Sequence, residues 1–292
     1  MINLSYILST RNRLPFLKIT LGKLLEEILP DEEIVIVDGN STDGTKEYLH
    51  ELYSEGKIHQ FISEPDKNQA HAWNKAMLLA KGTLIKKIID DDVFCYSAIR
   101  ECKNYMLQNS KIDVCISNDL GCHIDSYKNI QNFSRYSEFS KWKEGIVKSF
   151  TFGDVHLLAR KKSLAYIGLY NTAFVMMDWE YSLRISYLKA NIAYYSGYNA
   201  LSVVHAETVS STKNVELIKK QGNMGEAMYE YEGDGADISL WSKIKIFIGK
   251  LIYKDKATLK TETLTAIDIA ETYNYLYDYI EHLYHSEKGV FS

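Results

Sequence analysis

Proline is nearly missing from this chain, with 3 in 292 residues, so no proline-rich stretch marks a linker. Cysteine is almost as sparse. Cys95, Cys102, Cys115 and Cys122 lie too far apart for a zinc site built on C-x₂₋₄-C pairs, and they read as buried free thiols in a reducing compartment. No apolar run approaches the length needed to span a membrane. The short apolar piece Leu4 to Leu8 is followed at once by Arg11 and Arg13, the wrong flank for a signal peptide, so a cytoplasmic protein is expected. A dominant charge is absent too: a net charge of −4 spread over the chain gives nucleic acid no electrostatic claim as principal partner. What is present is ordinary for a soluble protein with a sizeable core, 46% hydrophobic and 25% charged residues. This length predicts one large domain with an appendage, or two small domains.

Up to about residue 120, short apolar runs alternate with amphipathic ones. Strands are predicted over Ile2–Leu8, Glu33–Val37, Ile58–Ser63, Leu84–Ile89 and Asp113–Ser117. Helices are predicted over Leu14–Ile28, Asp43–Leu52, Gln69–Ala80 and Ala98–Leu107. This alternation implies an α/β fold with a mainly parallel sheet covered on both faces, in which ligands bind beyond the carboxyl ends of the strands. Residues 120–150 show no clear period. Beyond them, Asp154–Ala159 reads as a strand, Met177–Lys189 as a helix and Ile192–Val204 as one or two strands. From about Val215 the pattern turns helical and rich in tyrosine, which places an expected boundary between 1–214 and 215–292.

The stretch Ile88-Ile89-Asp90-Asp91-Asp92-Val93-Phe94 stands out. An apolar strand delivers three adjacent acids at its end, and alternation along a strand would turn Asp90 and Asp92 one way and Asp91 the other. Neighbouring carboxylates repel, and Mg²⁺ or Mn²⁺ is the natural remedy, since such ions bind through one or two carboxylates plus substrate phosphates. An acidic loop, or Asp92 capping the helix that follows, would explain the same residues. Three other strand ends converge on the same edge: Ser9-Thr10-Arg11-Asn12-Arg13, Asp38-Gly39-Asn40-Ser41-Thr42-Asp43-Gly44-Thr45, and Glu64-Pro65-Asp66-Lys67-Asn68. Asp38 would point into the crevice toward a ribose or base edge, or else serve as a turn former. Ser9 and Thr10 read equally as helix caps, and Arg11 as a phosphate partner or a surface cation.

In this order, and with Ala72-Trp73-Asn74-Lys75-Ala76 and Ala80-Lys81-Gly82 between them, these pieces resemble the family 2 glycosyltransferases of GT-A fold. Gly168-Leu169-Tyr170 followed by Met177-Asp178-Trp179-Glu180-Tyr181-Ser182-Leu183-Arg184 resembles the segment carrying that family's catalytic base. Val204-His205 with Ser210-Ser211 resembles its closing motif. The resemblance spans about 1–212; Asn68 departs from it, standing where related sequences often have glycine. It implies a Rossmann-like GT-A domain over 1–214 and a helical C-terminal extension over 215–292.

The resemblance also implies roles. Ser9, Thr10, Arg11, Asp38, Asp66 and Asp91 would bind the nucleotide, usually a uridine nucleotide. Asp90, Asp92 and His205 would hold Mn²⁺ or Mg²⁺, with Asp92 the leading ligand. Asp178 would be the general base, although composition alone reads it as the cap of the helix after it, and Glu180 and the donor phosphates would raise its pKa. The implied reaction moves one sugar, with inversion, from a nucleotide-sugar to a hydroxyl of a saccharide or lipid-linked saccharide acceptor in surface polysaccharide or glycolipid assembly. Two rivals stand beside it: a nucleotidyltransferase, which would need a glycine-rich phosphate loop that Ser9–Arg13 lacks, and a nucleotide-sugar-binding module without turnover. In the extension, Trp241, Ile244, Ile248, Leu251 and Ile252 share one helical face opposite Lys243, Lys250 and Lys254. That helix would pack on the core or in a homodimer, or lie on the inner face of a membrane as a peripheral contact.

Overall fold

The computed structural model describes residues 1–205, 215–233 and 268–292. The chain begins with β1 (Leu4–Thr10), α1 (Leu14–Glu27), β2 (Glu32–Asp38), α2 (Thr45–Ser54), β3 (Gln60–Ser63), α3 (Gln69–Leu79) and β4 (Leu84–Ile88). It continues through β5 (Val93–Phe94), α4 (Tyr96–Gln108), β6 (Val114–Ser117), β7 (Asp119–His123), β8 (Gln131–Phe133) and α5 (Tyr136–Lys143). Then come β9 (Leu157–Arg160), α6 (Leu164–Ile167), α7 (Met177–Tyr187), β10 (Ile192–Tyr195), β11 (Ala200–Val204), α8 (Val215–Met228) and α9 (Ile269–Ser286).

Seven strands form the main sheet in the order β10-β6-β9-β4-β1-β2-β3. All are parallel except β9, which runs antiparallel between β4 and β6. β2 and β4 are buried along their whole length because helices cover both faces, which is why β2 carries the unbroken apolar run Ile34–Val37 rather than an alternating one, while β4 also buries Lys86 and Lys87. One face packs Leu4, Leu8 and Ile36 with α1, α4 and α9; the other packs Ile7, Val35 and Val37 with Trp73 of α3 and Tyr181 of α7. A second sheet, β5-β11-β7-β8, joins the strand after the acids to residues 119–133, where the sequence shows no period. Ile192–Val204 divides into two strands, β10 in the large sheet and β11 in the small one.

Local signals explain the helix starts. Pro15 occupies the first turn of α1, where no amide proton is required. The Asn68 side chain accepts from His71 N at 3.0 Å and caps α3, and Asp268 accepts from Glu271 N at 3.0 Å and caps α9.

The last helix reaches into the first core. Tyr273, Leu276 and Ile280 of α9 are at most 1% exposed and share a cluster with β1 and α1. After α9, residues Val290 to Ser292 run beside β10, where Ser292 N donates to Tyr194 O at 2.9 Å and Tyr194 N to Ser292 O at 3.1 Å. The amphipathic face running from Trp241 to Ile252 lies outside the described residues. Among those described, no helix is long and apolar enough to cross a membrane.

The Tyr273 hydroxyl donates to the carbonyl of Asp91 at 2.5 Å inside this core. Tyr273→Phe leaves that buried carbonyl without its donor, and unfolding free energy should fall by about 1–3 kcal/mol. Urea titration followed by tryptophan fluorescence measures it.

Candidate active site

The first two strand-end loops are tied to each other. Asn12 N donates to Ser41 Oγ and Thr42 N to Asn12 Oδ1, both at 2.8 Å, and Asn12 and Asn40 take left-handed backbone conformations (φ 53° and 59°) that asparagine tolerates well. Gly39 lies between them, where a Cβ would sit 3.1 Å from Asp66 Oδ2 and 3.2 Å from Arg11 Cδ. A side chain at that position would crowd both.

Beside this corner is a cleft of about 330 Å³ whose lining includes Ser9, Thr10, Arg11, Asp66 and Asp90. Asp66 pairs with Lys75 Nζ at 2.6 Å. Asp38, also expected here, is fully buried and lines neither this cleft nor the next. Its oxygens accept from Ser41 N at 3.2 and 3.1 Å, from Ser63 Oγ at 2.6 Å and from Ser41 Oγ. Asp38 therefore builds the loop that frames the cleft.

A second cleft, of about 240 Å³, shares Ser9, Arg13, Gln69 and Asp90 with the first and adds Lys87, Asp91, Asp92, Asp154 and Asp178. The three acids are buried, at 5–6% exposure. They do not alternate. β4 ends at Ile88, and a turn closed by Asp92 N donating to Ile89 O at 3.3 Å sends the carboxylates in three directions. Asp90 Oδ2 accepts from Thr10 Oγ1 at 2.6 Å, and Asp92 Oδ1 from Val203 N of β11 at 2.8 Å. Asp91 Oδ2 meets Arg13 Nη1 at 2.9 Å and His205 Nε2 at 2.8 Å. Thr20 Oγ1 of α1 donates to Asp90 O at 2.9 Å, so backbone and side chains are held together.

Burial, then the neighbouring Asp91 charge, pushes the Asp90 carboxyl up to about 7, and the same causes push Asp92 well above the usual range. Oxygen donors forced toward the protonated form are what a hard divalent cation would relieve, so the donor set fits one. The expected trio of Asp90, Asp92 and His205 is nevertheless not gathered around one point, because the turn gives His205 to Asp91 and Asp92 to β11. Among the described residues no three His, Cys, Asp or Glu side chains are disposed to hold a metal ion together. Substrate phosphates would have to complete the shell.

Asp178 is the second residue of α7, one place past the start and two past the Met176 cap, so the capping role is not its own. Burial raises its pKa, and the Asp154 charge raises it further against the pull of Lys87. Glu180 is not among the causes: it is taken by Arg184 at 3.0 and 2.9 Å and by the Tyr229 hydroxyl.

Sequence reasoning passed over four contributors: Lys87, Asp154, Tyr170 and Arg13. Lys87 pairs with Asp154 at 2.6 Å and lies 4.5 Å from the Trp73 ring centre, and Tyr170 OH also donates to Asp154 at 2.6 Å. Arg13 is the cation on Asp91. A lysine inside an apolar strand and an arginine two residues past Arg11 were the available signals.

A mostly parallel sheet with an acid turn at its carboxyl edge and clefts beside it is the arrangement of the GT-A fold. Residues 5–172 match the model of "Glycosyl transferase family 2", and the chain belongs to that family. It is 28% identical to chondroitin synthase of Pasteurella multocida over 119 residues, 41% of this chain and 12% of that protein. It is 28% identical to the putative teichuronic acid biosynthesis glycosyltransferase TuaG of Bacillus subtilis over 107 residues, 36% of this chain and 42% of that one. The matched stretches thus span less than half of either relative. Among solved structures, S. aureus TarS 1–349 in complex with UDP-GlcNAc superposes with a TM-score of 0.57 at 14% identity, covering 98% of this chain and 92% of that one. The mannosyltransferase PcManGT from Pyrobaculum calidifontis, in complex with GDP-Man and Mn²⁺, gives 0.56 at 15% identity, covering 94% and 87%.

Because the Asp154 charge helps hold the Asp178 pKa up, Asp154→Asn should lower it toward the ordinary carboxylate value. Lys87, left without its partner, would pull the same way. Carboxyl ¹³C NMR titration of wild type and variant reads the direction; an upward or absent shift contradicts the assignment.

Proposed function

We propose that this chain is a metal-assisted, inverting glycosyltransferase that moves one sugar from a UDP-sugar to a hydroxyl of a growing polysaccharide or lipid-linked saccharide. One observation carries the reading: the acid turn and Asp178 line the same cleft, which shares Ser9, Arg13, Gln69 and Asp90 with a second cleft framed by the nucleotide-type loops. The relatives named for chondroitin and teichuronic acid synthesis, and the TarS complex with UDP-GlcNAc, support the choice of acceptor class and donor.

In this reading Ser9, Thr10, Arg11 and Asp66 bind the nucleoside end, with Asp38 holding the loop behind them. Asp91 and His205, already within 2.8 Å of each other, would hold Mn²⁺ or Mg²⁺ with help from Asp90 or Asp92. When bound, such an ion offsets the charge that builds on the departing diphosphate without any proton transfer. Arg13 supplies a fixed positive charge beside the same group. Asp178 takes the proton of the acceptor hydroxyl as its oxygen attacks the anomeric carbon. The bond to the nucleotide phosphate breaks, and its electrons leave with the diphosphate. Its raised pKa suits this role, because a base is most effective when its pKa lies near the working pH. A single attack inverts the anomeric centre. The chain's placement at the inner face of a membrane, or in a homodimer through the C-terminal segment, remains part of the same proposal.

Asp178→Asn should lower kcat by about 10²–10⁴-fold while leaving the affinity for UDP nearly unchanged, since the lost base acts on the transition state more than on ground-state binding. A variant with near-normal kcat, or a product whose NMR couplings retain the donor's anomeric configuration, would falsify the base assignment. Separately, UDP binding measured by titration calorimetry should weaken on addition of excess EDTA and recover with Mn²⁺. Equal affinity in metal-free buffer would sink the cation site.

A further inference from the structure

The loop between α6 and α7 forms one wall of the catalytic cleft, through Val175 and Met176, and ends in the turn of α7 that carries Asp178. Its backbone is held by amide side chains from two directions. On the side of α3, Asn74 makes a reciprocal pair with Tyr170, donating to its carbonyl at 2.9 Å and accepting from its amide at 2.8 Å. Asn68, the cap of α3, donates to Thr172 O at 2.8 Å. On the other side, from α8, a single residue grips the loop twice. Gln221 Nε2 donates to Ala173 O at 2.5 Å, and its Oε1 accepts from Val175 N at 2.7 Å.

Gln221 is 8% exposed, although glutamine ordinarily faces water. Its helix is fastened to α7 at two further points. A Cβ on Gly225 would lie 2.5 Å from Trp179 Cζ3, so the helices approach as only glycine permits, and the hydroxyl of Tyr229, the residue just after α8, donates to Glu180. A primary amide can donate and accept at once, so it copies one rung of a β-ladder and fixes two backbone groups with one side chain. Gln221 and the rest of α8 lie beyond residues 5–172, the portion matching the family model.

We propose that Gln221 is a positioning residue for the transfer reaction: by fixing Ala173 and Val175 it sets the acceptor wall of the cleft and the start of α7, and so places Asp178 toward the incoming hydroxyl. The proposal rests on the reading of Asp178 as the base. It also assigns α8, outside the family core, to the acceptor side rather than the donor side, since Gln221 holds the amide of Val175, which lines the cleft that contains Asp178.

Hydrogen exchange by mass spectrometry on the full chain tests the clamp. In Gln221→Ala, exchange of the segment 171–178 should quicken by about tenfold or more, while β1 and β4 and the affinity for UDP with Mn²⁺ stay within about twofold of wild type. Gln221→Glu provides a signature that simple packing would not. Near pH 7 its carboxylate faces the Ala173 carbonyl with no proton to donate and the segment should open. At about pH 4, below the ordinary glutamate pKa of about 4.3, the carboxyl regains a donor and protection should return toward that of wild type at the same pH. The rate of UDP release from UDP-GlcNAc should drop about tenfold in Gln221→Ala with KM nearly unchanged. Unchanged exchange in 171–178, or equal acceleration in β1 and β4, overturns the proposal. Asp178→Asn measured alongside keeps the two ideas separate: full UDP release by that variant would remove the base assignment, while the exchange contrast at Gln221 would still decide the clamp.

Discussion

Three carboxylates share one turn at about 5–6% exposure, and the rest of the cleft is arranged around the cost of keeping them there. Removing an ionised carboxylate from water costs several kcal/mol even after relaxation, so each needs its own compensation. The turn separates them: Asp90 to β1, Asp91 to the loop before α1 and to His205, Asp92 to a backbone amide of β11. Phe16 stacks on His205 with ring centres 4.9 Å apart and lies 6.0 Å from the Arg13 guanidinium, holding both side chains against the acids. Burial, and after it the nearby Asp91 charge, drives the Asp90 and Asp92 carboxyls toward protonation.

A second buried ion pair repeats the logic on the far side of the cleft. Lys87 and Asp154 are 5% and 4% exposed, and the lysine is boxed by Trp73 and Tyr170. Next to it in the strand, Lys86 is fully buried, with its ammonium donating to Asn199 Oδ1 at 2.9 Å and to the Val155 carbonyl, and burial lowers its pKa to about 7. Consecutive lysines in a strand face opposite sides of the sheet, so one serves the cleft and the other the small sheet. Removing Asp154 alone would leave Lys87 as an uncompensated charge, which makes the pair a unit rather than two surface residues that happen to meet.

Much of this was legible in the sequence, for identifiable reasons. Strands covered on both faces tend to read as apolar runs, and their acidic or glycine-bearing ends mark the ligand edge; that sufficed for a mainly parallel α/β core and for bringing Ser9, Thr10, Arg11, Asp66 and the acid triple to one edge, while the GT-A reading came from the resemblance of the ordered motifs. The antiparallel sense of β9 left no trace, since an apolar run does not record its direction. The small sheet was hidden because β7 is short and only partly buried and β8 is exposed along its three residues, so neither offers a face long enough to set a period. Pairing of His205 with Asp91 depended on where the strand stopped, and one residue of turn replaces alternation with divergence. The contacts of Gln221 and Tyr273 bridge long separations between residues of ordinary type, and no local pattern announces them.

The Tyr273 contact has a temporal side. The acid turn and its hydroxyl partner are 182 positions apart in the chain. At ordinary elongation speeds of about 5–20 residues per second, the ribosome needs on the order of ten to forty seconds to travel that distance. Through that interval the emerging strands can pair while the turn still lacks one of its fastenings. The nascent protein thus carries a half-finished acid site, and the final helix closes it only after the sheet beneath is already laid down.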